Sequence, residues 1–220
     1  MPTVEAVTIV RGEEELFQRT EHLFASATDV ACAANDLWAW AWRNRSEEEL
    51  AAAAAARPRG SFRLRKVYRA GLLLDPVAAR ELVRRRDEFG ADIRLTTDEI
   101  NETIILDNRL VILAGDRVGG RRGYSVITQA DMVQGVSSLF EAAWRSATEL
   151  ADYDARVAEI REIAPQVLDL LGQGVKDESA ARTLGLGVRT YRRRVAELMD
   201  ALGAESRFQA GVRARELGLV

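Results

Sequence analysis

One stretch constrains this chain more than any other: Asp177 to Val220, DESAARTLGLGVRTYRRRVAELMDALGAESRFQAGVRARELGLV. Its apolar spacing predicts a short helix over Glu178–Leu184. Gly185-Leu186-Gly187 interrupts it with two glycines that adopt turn conformations cheaply. A longer helix is expected from Val188 to Leu202. Val188, Tyr191, Val195, Leu198, Met199 and Leu202 recur at spacings of three and four and make one stripe. Arg189, Arg192, Arg193 and Ala196 fall off that stripe. Gly203 stops the helix, and Ser206 caps a last one that would carry Phe208, Val212 and Leu217 inward.

Two helices around a tight turn, the second of them basic, are the elements of a helix-turn-helix. Such a unit buries one stripe and leaves its second helix free to enter a major groove of double-stranded DNA. Between Ala180 and Val195 stand five arginines and no acid. The planar fork of arginine can bridge two acceptors on guanine or clamp a phosphate. The bland alternative is a solvated charged helix face.

The segment resembles the LuxR-type (GerE-like) DNA-binding domain, whose pattern is roughly G-L-S-x-x-x-I-A-x-x-L-G-[ILV]-S-x-x-T-V-x-x-H-[LV]. The matching residues are Gly174-Val175-Lys176, Ala180-Ala181, Leu184-Gly185-Leu186-Gly187, Thr190-Tyr191 and Arg194-Val195. The tail RVAELMDALGAESRFQAGVRARELG is similar to that of a group of actinobacterial regulators of this type. The resemblance implies an all-α tetrahelical domain over 156–220. It implies that Arg192 and Arg193 face base edges, that Arg189, Thr190 and Arg194 lie near phosphates, and that Lys176 joins the DNA-binding set. It also implies pairing through the last helix, hence a homodimer. The chain departs from the pattern at Gly187 (usually Ser), Arg194 (usually His) and Ala180 (usually Ile).

Net charge over the whole chain is −3, which by itself argues against nucleic acid. The charge is unevenly placed, however. Residues 156–220 hold 11 basic and 9 acidic residues, net +2, and residues 1–155 hold 20 and 25, net −5. A mildly acidic body with one basic head suits a sequence-specific binder of modest non-specific affinity. All basic residues but Lys66 and Lys176 are arginine. The one cysteine, Cys32, excludes an internal disulfide and a cysteine-based zinc site, and reads as a buried apolar residue. No apolar run is long enough to span a membrane and no signal-peptide pattern opens the chain, so the expected location is the cytoplasm.

The first 150 residues alternate strand and helix. Val4–Val10 and Asp29–Ala34 read as strands around a helix over Glu13–Ala27, with Leu16, Phe17, Leu23 and Phe24 inward. Trp38, Trp40 and Trp42 alternate with alanine; they line an effector pocket or, the favoured reading, belong to the core. Ser46–Glu49 is a capping box opening a helix to Ala56. Phe62–Ala70 is a basic strand whose charged face is expected to be exposed. Asp75-Pro76 starts a helix ending at Gly90. Glu102–Leu106 and Leu110–Ala114 form a hairpin, and Gly115–Gly123 reads as a mobile glycine-rich turn without the spacing of a P-loop. Gln129–Leu150 is a long helix with Met132, Val136, Leu139, Phe140, Ala143 and Trp144 inward. Ala151–Arg156 is expected to be the domain junction, and Pro165 to interrupt the helix that follows.

This order indicates an α/β sandwich. VEAVTIVRGEEELFQRTEHLFASATDVACAAN, GADIR and ILDNRLVILAG are similar to the phospholipase D-like, non-catalytic sensor domain of TrmB-type regulators. That domain usually follows an N-terminal winged helix, and here the sequence opens at the sensor. Phospholipase D chemistry needs H-x-K-x(4)-D, whereas the one histidine, His22, has Phe24 where the lysine belongs. No serine elbow, zinc cluster or nucleotide loop is present, so neither catalysis, metal nor cofactor is expected. The expectation is therefore a sensor or scaffold domain over 1–150 and a helix-turn-helix domain over 156–220. Residues 188–202 form its recognition helix, and double-stranded DNA is the partner. The effector, a small molecule or a protein, is not named by the sequence. The alternatives are a protein-interaction module with a degenerate helix-turn-helix, or a small-molecule sensor that does not bind DNA.

Overall fold

The computed structural model describes residues 6–34 and 62–220. Trp38, Trp40, Trp42 and the capping box at Ser46 lie outside the described residues. The chain divides into two compact units: one of residues up to Tyr68 with Arg84–Arg94 and Ile100–Ala147, the other of Arg69–Val83, Leu95–Glu99 and Thr148–Val220.

The strands are β1 (Val7–Arg11), β2 (Asp29–Ala34), β3 (Arg63–Arg69), β4 (Asp92–Thr96), β5 (Thr103–Leu106), β6 (Leu110–Val118), β7 (Arg121–Ile127) and β8 (Thr148–Glu149). They follow the order β1-β7-β6-β5-β2-β3-β4-β8. The pair β2·β3 is parallel, Cys32 opposite Lys66, and β5, β6 and β7 pair antiparallel. The helices of the first unit are α1 (Glu13–Ser26) and α3 (Ala130–Ser146), and α2 (Pro76–Phe89) is divided between the units. Val133, Phe140 and Trp144 of α3 pack on Ala31, Ala33, Val67, Ile105, Val111 and Ile127 of the sheet. This is the α/β architecture that the alternation of elements implies. Asp75 caps α2 as expected, its Oδ1 accepting from Val77 N at 2.8 Å.

Four local expectations fail. The Gly115–Gly123 stretch is not a loop: β6 and β7 run through it, and only Gly119-Gly120 (φ 60° and 81°) turn the chain. A two-residue hairpin turn of type I′ needs positive φ at both positions, which two adjacent glycines meet without strain. The basic strand β3 is not exposed either. It lies inside the sheet, and Arg65 and Lys66 are buried. Burying Arg65 is offset by its partners: its guanidinium meets Glu141 at 2.5 Å and Asp29 at 3.7 Å and lies over the Phe140 and Trp144 rings. On α3, Leu139 and Met132 do not point inward: they are 72% and 41% exposed. Finally, Pro165 does not interrupt its helix: α4 (Leu150–Gly172) is continuous through it and through Ala151–Arg156. Tyr153, Val157, Ile160, Ala164, Val167 and Leu168 keep one buried face across the proline, and that packing outweighs the missing hydrogen bond.

The second unit holds α4, α5 (Asp177–Thr183), α6 (Val188–Ala201), α7 (Arg207–Glu216) and a buried 3-10 turn, Ala70–Leu74. Tyr191, Val195, Leu198 and Leu202 are buried as the spacing predicts. On α7 the expectation fails. Ala210 and Ala214 face inward, while Phe208 is 83% exposed and Val212 is exposed as well.

Candidate nucleic-acid interface

The turn between α5 and α6 is built from backbone chemistry. Gly185 has φ 65°, and its N–H donates to Arg182 O at 3.1 Å. Leu186 N donates to Ala181 O at 2.8 Å. These are the two hydrogen bonds of a Schellman stop, which needs a left-handed residue at that point. Gly187 then precedes α6 without any side-chain cap, so the first N–H groups of α6 face outward unclaimed by a capping side chain.

Along α6 the buried residues Tyr191, Val195 and Leu198 fix the helix's rotation. The 3.6-residue period then sets Arg189, Arg192, Arg193 and Ala196 on the opposite side, and all four are exposed. The structure thus brings three of the arginines singled out by sequence onto one face. Among the described residues Arg189 has no ion-pair partner, and Arg193 has only Glu197 at 3.7 Å. Lys176 is exposed just before α5, and Thr190 is half-buried in the first turn of α6.

Arg194 has a different setting. It lies at the edge of the face, 17% exposed at the side chain, and donates to Glu159 Oε2 on α4 at 2.7 Å and Glu197 Oε2 at 2.8 Å. The Glu159 pair ties α6 to α4, and the Glu197 pair lies within α6. Arg192 is tied as well, but from an exposed position: its Nε donates to Asp177 Oδ2 at 2.8 Å. Arg207 of α7 donates to both oxygens of the same carboxylate, at 2.8 and 3.2 Å. Hydrogen bonds from Arg207 first, and Arg192 second, hold the Asp177 carboxyl down at about 2. Asp177 therefore joins the first residue of α5 to α6 and α7. Nothing in the local sequence marks this cluster, since its members lie 15 and 30 residues apart.

His22, the histidine without the phospholipase D spacing, is exposed on α1. Among the described residues no group of His, Cys, Asp and Glu could hold a metal ion, and no helix is long and apolar enough to cross a membrane.

No protein-family profile matches the chain. The bialaphos biosynthetic pathway regulatory protein of Streptomyces hygroscopicus is 29% identical to it over 142 residues, 64% of this chain and 56% of that protein. The matched stretch thus spans little more than half of the curated relative. Three solved structures are similar in part. TrmBL2, an archaeal chromatin protein described as showing a novel mode of DNA binding, has a TM-score of 0.49 at 18% identity, over 68% of this chain and 56% of its own. NucT from Helicobacter pylori has a TM-score of 0.45 at 10% identity, over 65% and 99%. Nuc from Salmonella typhimurium, a phospholipase D family member, has a TM-score of 0.44 at 15% identity, over 65% and 97%. All three scores lie below 0.5, and nothing about the function of this chain follows from them.

Proposed function

We propose that the chain is a DNA-binding transcriptional regulator. In this reading residues 156–220 form a LuxR-type helix-turn-helix domain, and α6 is the helix that enters the major groove. The observation that carries it is the face of α6: Arg189, Arg192 and Arg193 stand exposed opposite a fully buried stripe, behind a glycine-stopped short helix. The name of the Streptomyces relative, a pathway regulator, supports the same reading. Arg192 and Arg193 read base edges, Arg192 with its Nε already oriented by Asp177. Arg189, Lys176 and the uncapped first turn of α6 meet phosphates, where backbone N–H groups and the helix dipole favour an anion. Two copies read two half-sites. The α/β unit acts as sensor or scaffold and carries no chemistry of its own.

The reading is tested by selecting DNA sites with the purified full-length protein and titrating the best of them. Arg193→Ala is expected to lower affinity by about 1–3 kcal/mol and to relax preference at one base pair of each half-site. Wild-type affinity and base preference in that variant would remove Arg193 from the reading head. The competing reading, a partner-docking module, draws on the Arg192–Asp177 pair, which neutralises part of the basic face. It predicts no enriched DNA site from a folded protein.

A further inference from the structure

Helix α3 carries apolar residues on two faces, and the fold uses one. Val133, Phe140 and Trp144 pack on the sheet. A second stripe, Met132, Gly135, Leu139 and Ala142, follows the spacing three, four, three and is exposed along its length. Leu139 at 72% exposed and Met132 at 41% are among the most exposed large apolar side chains in the first unit. A solvated helix face of this size has little reason to place its apolar residues in a heptad seam.

The stripe alternates large and small. If two copies of α3 pack antiparallel about a twofold axis beside Ser137 and Ser138, Met132 falls opposite the partner's Ala142, and Leu139 falls opposite the partner's Gly135. Each large side chain meets a small one, which lets the helices approach closely. The flanking charges obey the same symmetry. Asp131 and Arg145 are both exposed, and neither makes an ion pair among the described residues. In the antiparallel register Asp131 stands beside the partner's Arg145, and the pair occurs twice. A parallel pairing would bring like residues together and lose both pairs.

We infer that the α/β unit pairs with a second copy of itself through the outer stripe of α3, the two helices antiparallel and closed by two Asp131–Arg145 ion pairs. The inference rests on the proposed function for its purpose, the joining of two half-site readers, though not for the contact itself. A seam along one 17-residue helix is small, so the dissociation constant falls on the order of micromolar, at the weak end of specific dimers.

The test is sedimentation of the full-length chain without DNA, over a concentration series. The wild type is expected to pass from monomer to dimer. Leu139→Glu should stay monomeric at every concentration, with its melting temperature kept because the side chain is exposed. Asp131→Arg should weaken the dimer about tenfold, and adding Arg145→Asp should restore it. Ser138→Cys should cross-link under mild oxidation, since Cys32 is buried and does not compete. A wild type that is monomeric throughout, a dimer indifferent to Leu139→Glu, or a double variant no tighter than Asp131→Arg would overturn the inference. DNA titration of the same samples separates the two ideas. A dimeric wild type that binds no DNA, with the dimer series as described, would sink the proposed function and leave the helix seam standing.

Discussion

Asp177 does more in the folded unit than its place at the head of a short helix suggests. One carboxylate holds Arg192 of the exposed face and Arg207 of α7. Its folded pKa, about 2, lies below the usual carboxylate range, so the ionised form is the bound form. A depressed carboxyl pKa adds stability that is fully present above the unfolded value, near 4, and is lost as pH falls through the folded value. Asp177→Asn should therefore lower stability by about 1 kcal/mol at neutral pH. The difference from wild type should shrink between about pH 4 and pH 2. Urea midpoints of both proteins across that range check the sign: a gap that persists at pH 2 would mean that shape, not charge, is what the carboxylate supplies. Asp107 obeys the same logic in the hairpin turn after β5. Burial opposes its charge, yet hydrogen bonds donated by Asp29 N, Thr28 N and the Thr28 hydroxyl outweigh that and lower its pKa. At this scale the sequence was legible where period alone decides orientation, as at Tyr191, Val195 and Leu198. It was not where a charge is buried by distant partners. Arg65 reads as a solvated residue until Glu141 and the rings of Phe140 and Trp144 are brought to it.

Among the elements, ends were easier to read than faces. Gly185 and Gly203 stop α5 and α6 as a glycine after an apolar stripe should, and Ser206 caps α7 by accepting from Gln209 N at 3.2 Å. Helix faces were harder. The stripes of α3 and α7 each contain more apolar residues than one buried face accepts, and periodicity cannot say which of them the fold leaves outside. The spacing places Leu139 and Phe208 inward and both are exposed, whereas Ala210 and Ala214 supply the inner face of α7. Gly203 shows how strictly an end can be set. Its φ is 64°, and a Cβ would lie 2.5 Å from the carbonyl oxygen of Thr97, a backbone atom that cannot swing aside. Gly203→Ala should destabilise the second unit by about 2–4 kcal/mol, combining left-handed strain with the clash. Gly187→Ser, with ordinary backbone angles and open space around it, should instead raise stability by roughly 0.5 kcal/mol by adding the missing cap. A thermal melt of the two variants side by side checks the contrast.

For the whole molecule, the charge map sets what DNA binding would look like. The net +2 of residues 156–220 is small, and the remainder carries −5. Long-range attraction is therefore weak, and affinity has to come from phosphates met at close range. Each neutralised phosphate contributes about −0.9 to the slope of log K against log salt. With Lys176 and Arg189 free on each of two chains, the expected slope is about −4. If Arg194 left its two carboxylates to meet a phosphate, the slope would approach about −5. Leaving is costly: Glu159 and Glu197 would lose a shared cation, and the tie between α6 and α4 would open. The structure thus favours the shallower value. Arg189→Ala should reduce the slope by about 2 in the dimer, while Arg194→Ala should leave it unchanged and lower the melting temperature instead. A slope that falls in the Arg194→Ala protein, with its stability intact, would show that DNA pulls this arginine out of its ion pairs and that it belongs to the phosphate-binding set after all.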